Sequence, residues 1–584
     1  MRGLLFLVFA LASASGLVGA YRAFSQFLAG RWGDYGDGQL FWLVWAEDPG
    51  RRRLIQAGVA AAVVVAVYFF AKKSRLRPLH PLVWVVERVG HPLVAALALV
   101  VALLPQIVAP MVRPDAAGKP SVVFILLDTV RLDAMGWGGN PLPATPRMDQ
   151  LAAQGASYRQ AISQASWTKP SVGSLLTGLN PSRHLAIGRP RFRWYDTLEG
   201  EQRTLAEAFA AAGYKTAAVS TNPNIKPAYG FHQGFFKFVE ETTYDADQVL
   251  EVAEGWLADQ SDPFFLYLHF NDAHYPYDPI APYDGTFDHT QSDAHLDGAT
   301  EGQFRLGDLE FSEEDVEHMR LAYLEEVAYL DDRVGRFVEK LHRERDDVFV
   351  VIVADHGEEF LEHGDLGHGH SLYDELLKVP LQFSWSPGMA QANQPLVSGS
   401  FDQQVRLIDV APTLLDLAEL EWPAEALPLD GESLLPMLLD PSKAGGDRPA
   451  FSETESPGSP RSGMAGALRS WREPGWKFIQ TDPFGDKSGR YWLFDLGQDP
   501  GETTNLAATA PELREYNDRM QSSGWLIRKE IPAPSLNSGA PELDPALKEL
   551  GYADHAGDSI PPEKLTFAPG SVKWVDREKL RKQD

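Results

Sequence analysis

"SVVFILLD", residues Ser121–Asp128, and "DVFVVIVADH", residues Asp347–His356, are apolar and β-branched runs, the first ending in an acidic residue and the second in an acidic residue followed by histidine. Runs this short and this uniformly apolar are strands buried on both faces rather than helices. Two more follow the same rule, "PFFLYLHF" (Pro263–Phe270) and "VPLQFSW" (Val379–Trp385). Between them lie stretches with helical spacing: "PRMDQLAAQGASY" (Pro146–Tyr158), and "TLAEAFAAAGYKTAAVST" (Thr204–Thr221), a helix stopped at Gly213 and then a strand. Strands alternating with helices predict an α/β body around a mostly parallel sheet. No internal repeat is visible.

In such sheets ligands gather beyond the C-terminal ends of the strands. The first run ends at Asp128, the one from Asp347 ends in Asp355 and His356, and the one from Pro263 runs into Asn271, Asp272 and His274. Carboxylates and imidazoles are thus delivered to one edge from three strands. The segment Ala354–Glu375 then adds His363, His368 and His370, so that four of the 15 histidines fall within 15 positions. Consecutive Asp and His at a strand end suit a borderline divalent ion. Each of these residues also has a simpler reading: Asp128 can cap the next helix, and "FNDAHYPYD" can be a turn anchored by Pro276.

The stretch "SWTKPSVGSLLTG" (Ser166–Gly178) predicts a helix with Pro170 in its first turn and Gly178 at its end. Thr168 then falls just ahead of the helix N-terminus, where free amides favour negative charge. There it either caps the helix or, beside a divalent cation, ionises and attacks an ester.

Composition bounds the alternatives. The chain has 584 residues and no cysteine, which removes disulfides, thiolate ligands and a cysteine nucleophile. Residues 1–113 carry a net charge of +7 and the remaining 471 carry −34. So acidic a body argues against nucleic acid as a partner. Three apolar segments, Gly3–Tyr21, Leu54–Ala71 and Pro92–Val112, are each long enough to cross a hydrocarbon layer of ~30 Å, although the first also has the look of a signal peptide. With Lys72–Arg77 inside, either reading of the first segment puts the acidic body on the extracytoplasmic side of a membrane, while Arg51–Arg53 on the outer side run against that rule.

Taken in order, "VVFILLDTVRLDAMGWGGN", "TKPSVGSLLTG", "PFFLYLHFNDAHYPYDP", "VADHGEEFLEHGDLGHGHSLYDELLKVPL" and "LFDLGQDPGETTNLA" resemble the sulfatase-like enzymes of the alkaline phosphatase superfamily over roughly residues 120–508. The resemblance implies an alkaline-phosphatase-like α/β fold with a catalytic domain at 120–440 and a smaller C-terminal subdomain at 441–525; the apolar segments give a membrane region at 1–112, and composition gives a Pro/Gly-rich tail at 526–584. It implies one divalent ion (Zn, Mn, Ca or Mg) held by Asp128, Thr168, Asp355 and His356, with Thr168 as nucleophile and His274 as the leaving-group or substrate-binding histidine. It places His370 where many sulfatases have an anion-binding lysine, and it makes Lys169, His363 and His368 substrate contacts.

The sequence departs from the family at three places: Thr168 stands for the usual Cys or Ser, Val172 for an arginine, and Thr129 for a second Asp. No formylglycine is expected from a threonine. These departures are similar to the membrane phosphoethanolamine and phosphoglycerol transferases, which implies a small-molecule, lipid or glycan ester as substrate. The alternatives are a sulfatase that works without the aldehyde, and an inactive sulfatase-like protein that binds lipid or a partner.

Overall fold

A computed structural model describes residues 116–524 apart from 188–196, 199–201, 391–394, 425, 444, 456–460, 462–463, 465–466 and 482–489. The membrane region expected at 1–112 and the tail at 526–584 lie outside the described residues. No helix among those described is long and apolar enough to cross a membrane.

Fourteen strands are found among the described residues: β1 (Ser121–Leu127), β2 (Ala156–Ile162), β3 (Lys215–Ser220), β4 (Lys237–Glu240), β5 (Phe264–Phe270), β6 (Val348–Ala354), β7 (Glu359–Phe360), β8 (Leu366–Gly367), β9 (Lys378–Trp385), β10 (Gly399–Arg406), β11 (Ala450–Thr454), β12 (Leu468–Glu473), β13 (Trp476–Thr481) and β14 (Tyr491–Asp495). Eight of them form one sheet in the order β10-β2-β9-β6-β1-β5-β3-β4. β9 runs against both of its neighbours, and every other pairing in the sheet is parallel. The expected sheet is therefore present, with the Val379–Trp385 run as its reversed member. Every residue of β1, β5 and β6 is buried, which requires cover on both faces of the sheet. Each of their Val, Ile, Leu and Phe side chains contributes ~1.5–3 kcal/mol by leaving water.

Helices start and stop where side chains allow. Leu205–Ala211 opens with a capping box of Thr204 and Glu207, and the 32-residue helix Glu313–Glu344 opens with one of Ser312 and Asp315. Asp272, which the sequence brings to the strand end, instead accepts a hydrogen bond from the amide of Ala246 at the start of helix Ala246–Leu257 (2.8 Å). Burial pushes its carboxyl up to about 7.

A second, antiparallel sheet, β11-β12-β13-β14, follows in sequence. One of its faces packs Leu468, Ile479, Trp492 and Phe494 against Ile162, Leu372, Tyr373 and Leu377 of the first sheet and its loops. The other packs Phe478 and Tyr491 against Leu513, Tyr516 and Met520 of the helix Glu512–Ser522. Buried Lys477 bonds both Asp374 (2.9 Å) and Glu502 (3.0 Å), fastening this sheet to the segment that carries the histidines.

Candidate active site

β6, β1 and β5 are adjacent and parallel, and Leu127 is level with Ala354 on one side and Phe270 on the other. Asp128, Asp355 and Asn271 therefore leave the sheet at one height. Thr168 comes to the same place from the helix Thr168–Thr177, every residue of which is buried. The first turn of that helix is tied to β6. Ser171 Oγ donates to the carbonyl of Asp355 (2.7 Å) and lies 3.0 Å from Ser163 Oγ. Behind it, a Cβ on Gly173 would come within 2.6 Å of the ring of His184, so only glycine lets the helix lie this close.

Thr168 is the first residue of its helix, with Trp167 in the capping position and no side-chain cap. Its hydroxyl is turned instead to His356 Nε2 at 3.2 Å. His356 donates from Nδ1 to the carbonyl of Gly357 (2.9 Å), so Nε2 keeps a lone pair. That nitrogen is 3.5 Å from Asp128 Oδ1 and 3.4 Å from Asp355 Oδ2. Both oxygens are buried and neither takes part in a hydrogen bond. Two carboxylate oxygens, an imidazole lone pair and a hydroxyl thus converge in a buried site, a donor set that fits a divalent ion.

The electrostatics agree. Burial opposes the charge of Asp128, but the hydrogen bond and charge from His269, aided by His356 and His274, outweigh it and hold this carboxyl below the usual range. Asp355 is pushed well up, first by burial and then by the negative charge of Asp128. A divalent cation between them would remove that conflict.

Two supporting residues are missing from the set read from the sequence. His269, inside the apolar run of β5, has Nε2 2.8 Å from Asp128 Oδ2, and its Nδ1 receives the hydroxyl of Tyr267 (2.9 Å). Asn222, just past β3, donates to the same Asp128 oxygen (2.6 Å) and to Asn271 Oδ1 (3.0 Å). A histidine as the penultimate residue of an otherwise apolar strand was the signal for the first; Asn222 offers none.

The other expected residues fall into two groups. The ring of His274 is 4.9 Å from that of His368, which is in turn 4.5 Å from that of His356. His274 donates from Nδ1 to the carbonyl of Tyr275 (2.6 Å), and burial together with His368 lowers its pKa to about 4. His368 Nδ1 bonds Glu358 Oε1 (2.8 Å), whose other oxygen receives the hydroxyl of Tyr277 (3.0 Å). His370, by contrast, faces back: its Nε2 donates to Glu359 (2.6 Å) and its Nδ1 receives Arg305 (3.0 Å). The histidine beside the site is His368. His363 is stacked on Tyr373 and bonds Glu375 (2.6 Å) and the carbonyl of Gly501 (3.1 Å), so it holds the C-terminal segment rather than joining the Thr168 cluster. Lys169 is fully buried, with its ammonium 4.0 Å from the centre of the Tyr229 ring. Val172 lies in the apolar core, and Thr129 turns its hydroxyl to the carbonyl of Ala273 (2.9 Å), so neither offers the charge that the family pattern has there.

The family description "Sulfatase" matches residues 120–420, and "N-sulphoglucosamine sulphohydrolase, C-terminal" matches 362–525. An arylsulfatase of Clostridium perfringens is 23% identical over 71% of this chain and 94% of its own length. The phosphonate monoester hydrolase of Agrobacterium radiobacter superposes with a TM-score of 0.57 at 21% identity, covering 70% of this chain and 96% of its own. A structure solved with its substrate D-glucosamine-2-N,6-O-disulfate gives 0.56 at 19% identity, over 69% and 96% of the two chains.

Proposed function

The chain belongs to the sulfatase family of the alkaline phosphatase superfamily, and we propose that it cleaves or transfers a phosphate or sulfate ester through a covalent ester on Thr168. The observation that supports this most is the turn of the Thr168 hydroxyl toward His356, beside two buried carboxylate oxygens without hydrogen-bond partners. Asp128, Asp355, His356 and Thr168 would hold a divalent ion. Bound there, such an ion lowers the pKa of a hydroxyl and draws charge from an ester oxygen.

The chain's own residues do the rest. Ser171 and the buried helix fix Thr168 Oγ1, so that its attack costs little ordering. A bond forms from Oγ1 to sulfur or phosphorus as the bond to the departing alcohol oxygen breaks, and the proton lost by the Thr168 hydroxyl ends on that alcohol. His274 and His368 each have Nδ1 engaged, on the carbonyl of Tyr275 and on Glu358, which fixes the rings beside His356. Neutral His274 can take a proton there from the water or alcohol that attacks the Thr168 ester and releases the enzyme. Threonine needs no conversion to formylglycine for this route.

The apolar segments within 1–112 support a membrane anchor with the catalytic region, 120–440 with its C-terminal subdomain at 441–525, on the extracytoplasmic side. A lipid headgroup or an envelope glycan is the natural ester in that setting. The test is turnover of sulfate monoester, phosphate monoester and phosphodiester reporters by the purified chain with Zn, Mn, Mg and Ca. Ion-dependent turnover that falls at least ~10⁴-fold in Thr168→Ala supports the threonine route. Turnover unchanged in Thr168→Ala rules it out, and ion-loaded protein silent on all three reporters favours the inactive, binding-only reading.

A further inference from the structure

Both carboxylates of the candidate cation site turn one oxygen to the pocket and have the other occupied, but by different means. Asp355 does this locally: Oδ1 accepts the amide of His356 (3.0 Å), and Oδ2 is left without a hydrogen bond. Asp128, at the end of β1, is served from the two strands beyond it, β5 and β3. His269 of β5 has Nε2 2.8 Å from Asp128 Oδ2, and Asn222, just past β3, donates to the same oxygen (2.6 Å). A carboxylate oxygen has room for about two donors, so Oδ2 is filled. Oδ1 alone is left, buried and without a partner.

Neither donor is free to turn. The Tyr267 hydroxyl donates to His269 Nδ1 (2.9 Å), which puts the ring hydrogen on Nε2, toward Asp128. Asn222 Oδ1 receives the amide of Asn224 (2.8 Å), and its NH₂ also gives to Asn271 Oδ1 (3.0 Å), so the carboxamide is fixed in one orientation. Thr221 donates to the carbonyl of His269 (2.9 Å) and locks the end of β3 to β5. Tyr267 and His269 are fully buried among the apolar residues of β5, where a polar pair costs desolvation that a third leucine and phenylalanine would not.

Resting on the reading of this pocket as a cation site, we propose that Tyr267, His269 and Asn222 are positioning residues that confine Asp128 to ligation through one oxygen and thereby set which ions the pocket accepts. With Asp355 confined in the same way, the pocket receives one oxygen from each carboxylate, the imidazole of His356 and the hydroxyl of Thr168. Calcium takes about six to eight oxygens and readily uses both oxygens of one carboxylate, so a filled Oδ2 works against it. Zinc accepts an imidazole and few protein donors.

The test is calorimetric titration of zinc and of calcium into the ion-stripped full chain in detergent, for wild type, His269→Leu, His269→Gln, Tyr267→Phe and Asn222→Ala. Loss of either donor, in His269→Leu or Asn222→Ala, is expected to weaken zinc by ~10–100-fold and to lower the preference for zinc over calcium at least ~10-fold, since Asp128 can then offer both oxygens. His269→Gln keeps a side-chain N–H and is expected to lie closer to wild type than His269→Leu. Thermal unfolding in chelator shows which variants are folded, and Tyr267→Phe, which removes a single oxygen and is expected to lower the preference in part, reads the same effect where a larger change in β5 does not fold. Folded variants that bind both ions as wild type does overturn the proposal. So does an equal loss for zinc and calcium, which is what a merely structural role produces. A wild-type chain that takes up neither ion instead overturns the cation site on which the proposal rests. None of these readouts involves turnover, so the role of Thr168 is decided separately by the reporter assay.

Discussion

Replacing Asp355 by Asn separates a cation site from an ordinary buried carboxylate pair, because the two readings predict opposite signs. Without an ion, Asp128 Oδ1 and Asp355 Oδ2 both lack a hydrogen bond, and the negative charge of Asp128 works against Asp355. In Asp355→Asn, Oδ1 still accepts the His356 amide (3.0 Å), while an NH₂ replaces the orphaned oxygen beside Asp128 Oδ1 and His356 Nε2. One new hydrogen bond and one fewer buried acid amount to a gain of about 1–3 kcal/mol for the ion-free protein. With ion at 100 times its dissociation constant, wild type gains ~2.7 kcal/mol by mass action, and the variant, lacking a ligand, gains little. Thermal unfolding of the full chain in detergent, with chelator and with Mn or Zn, reads both arms at roughly 2 °C per kcal/mol. The expected crossing is a variant above wild type in chelator and below it in metal. A variant less stable than wild type in chelator, or one that metal stabilises as strongly as wild type, would refute the reasoning.

Three further outcomes follow from the packing around the same helix and the second sheet. Gly173→Ala, which in an ordinary helix stabilises, should here cost about 1–3 kcal/mol and lower turnover, since the methyl meets His184 at 2.6 Å; urea unfolding and kinetics check both. His184 accepts the Ala186 amide on Nδ1 (3.1 Å) and is neutral, and burial lowers its pKa from 6.5 to about 3. Its folded pKa lies below the unfolded one, so its share of stability is complete above 6.5 and is lost as pH falls toward 3. Between pH 7 and 5 that share drops by about 2 kcal/mol, a slope that His184→Gln should lose in paired urea titrations. Lys477→Met should cost about 3 kcal/mol by leaving Glu502 buried without its cation, while Asp374 keeps Arg472, seen as early unfolding of the C-terminal sheet by hydrogen exchange.

How far the sequence carries can be followed residue by residue. Apolar runs ending in Asp128, Asn271 and Asp355 were readable because a strand buried on both faces leaves no polar alternation, and the sheet does set those three ends side by side. The reversal of β9 was not readable, since direction leaves no trace in an apolar run. Thr168 looked equally fit to cap its helix; what decides against the cap is the distant His356, which competes for its hydroxyl. Spacing alone could not say which of His368 and His370 faces inward. Gly367 and Gly369 both have φ near +80°, and each such residue turns the chain in a way that period-two or helical counting does not follow. His269 is hidden in the sequence as one more member of an apolar strand, and the direction of the Lys169 side chain, toward Tyr229, leaves no trace there either.

Thr168 and His356 lie 188 residues apart in the chain, and Asp128 comes from yet another strand. Contacts this distant close late in folding, after most of the loop entropy has been spent. No fragment that stops before β6 contains the cation pocket, so a nascent or unfolded chain has nothing with which to capture an ion tightly. An ion held there would have to be acquired in the compartment where the sheet is completed, and the ion pool of that compartment would select which cation is bound.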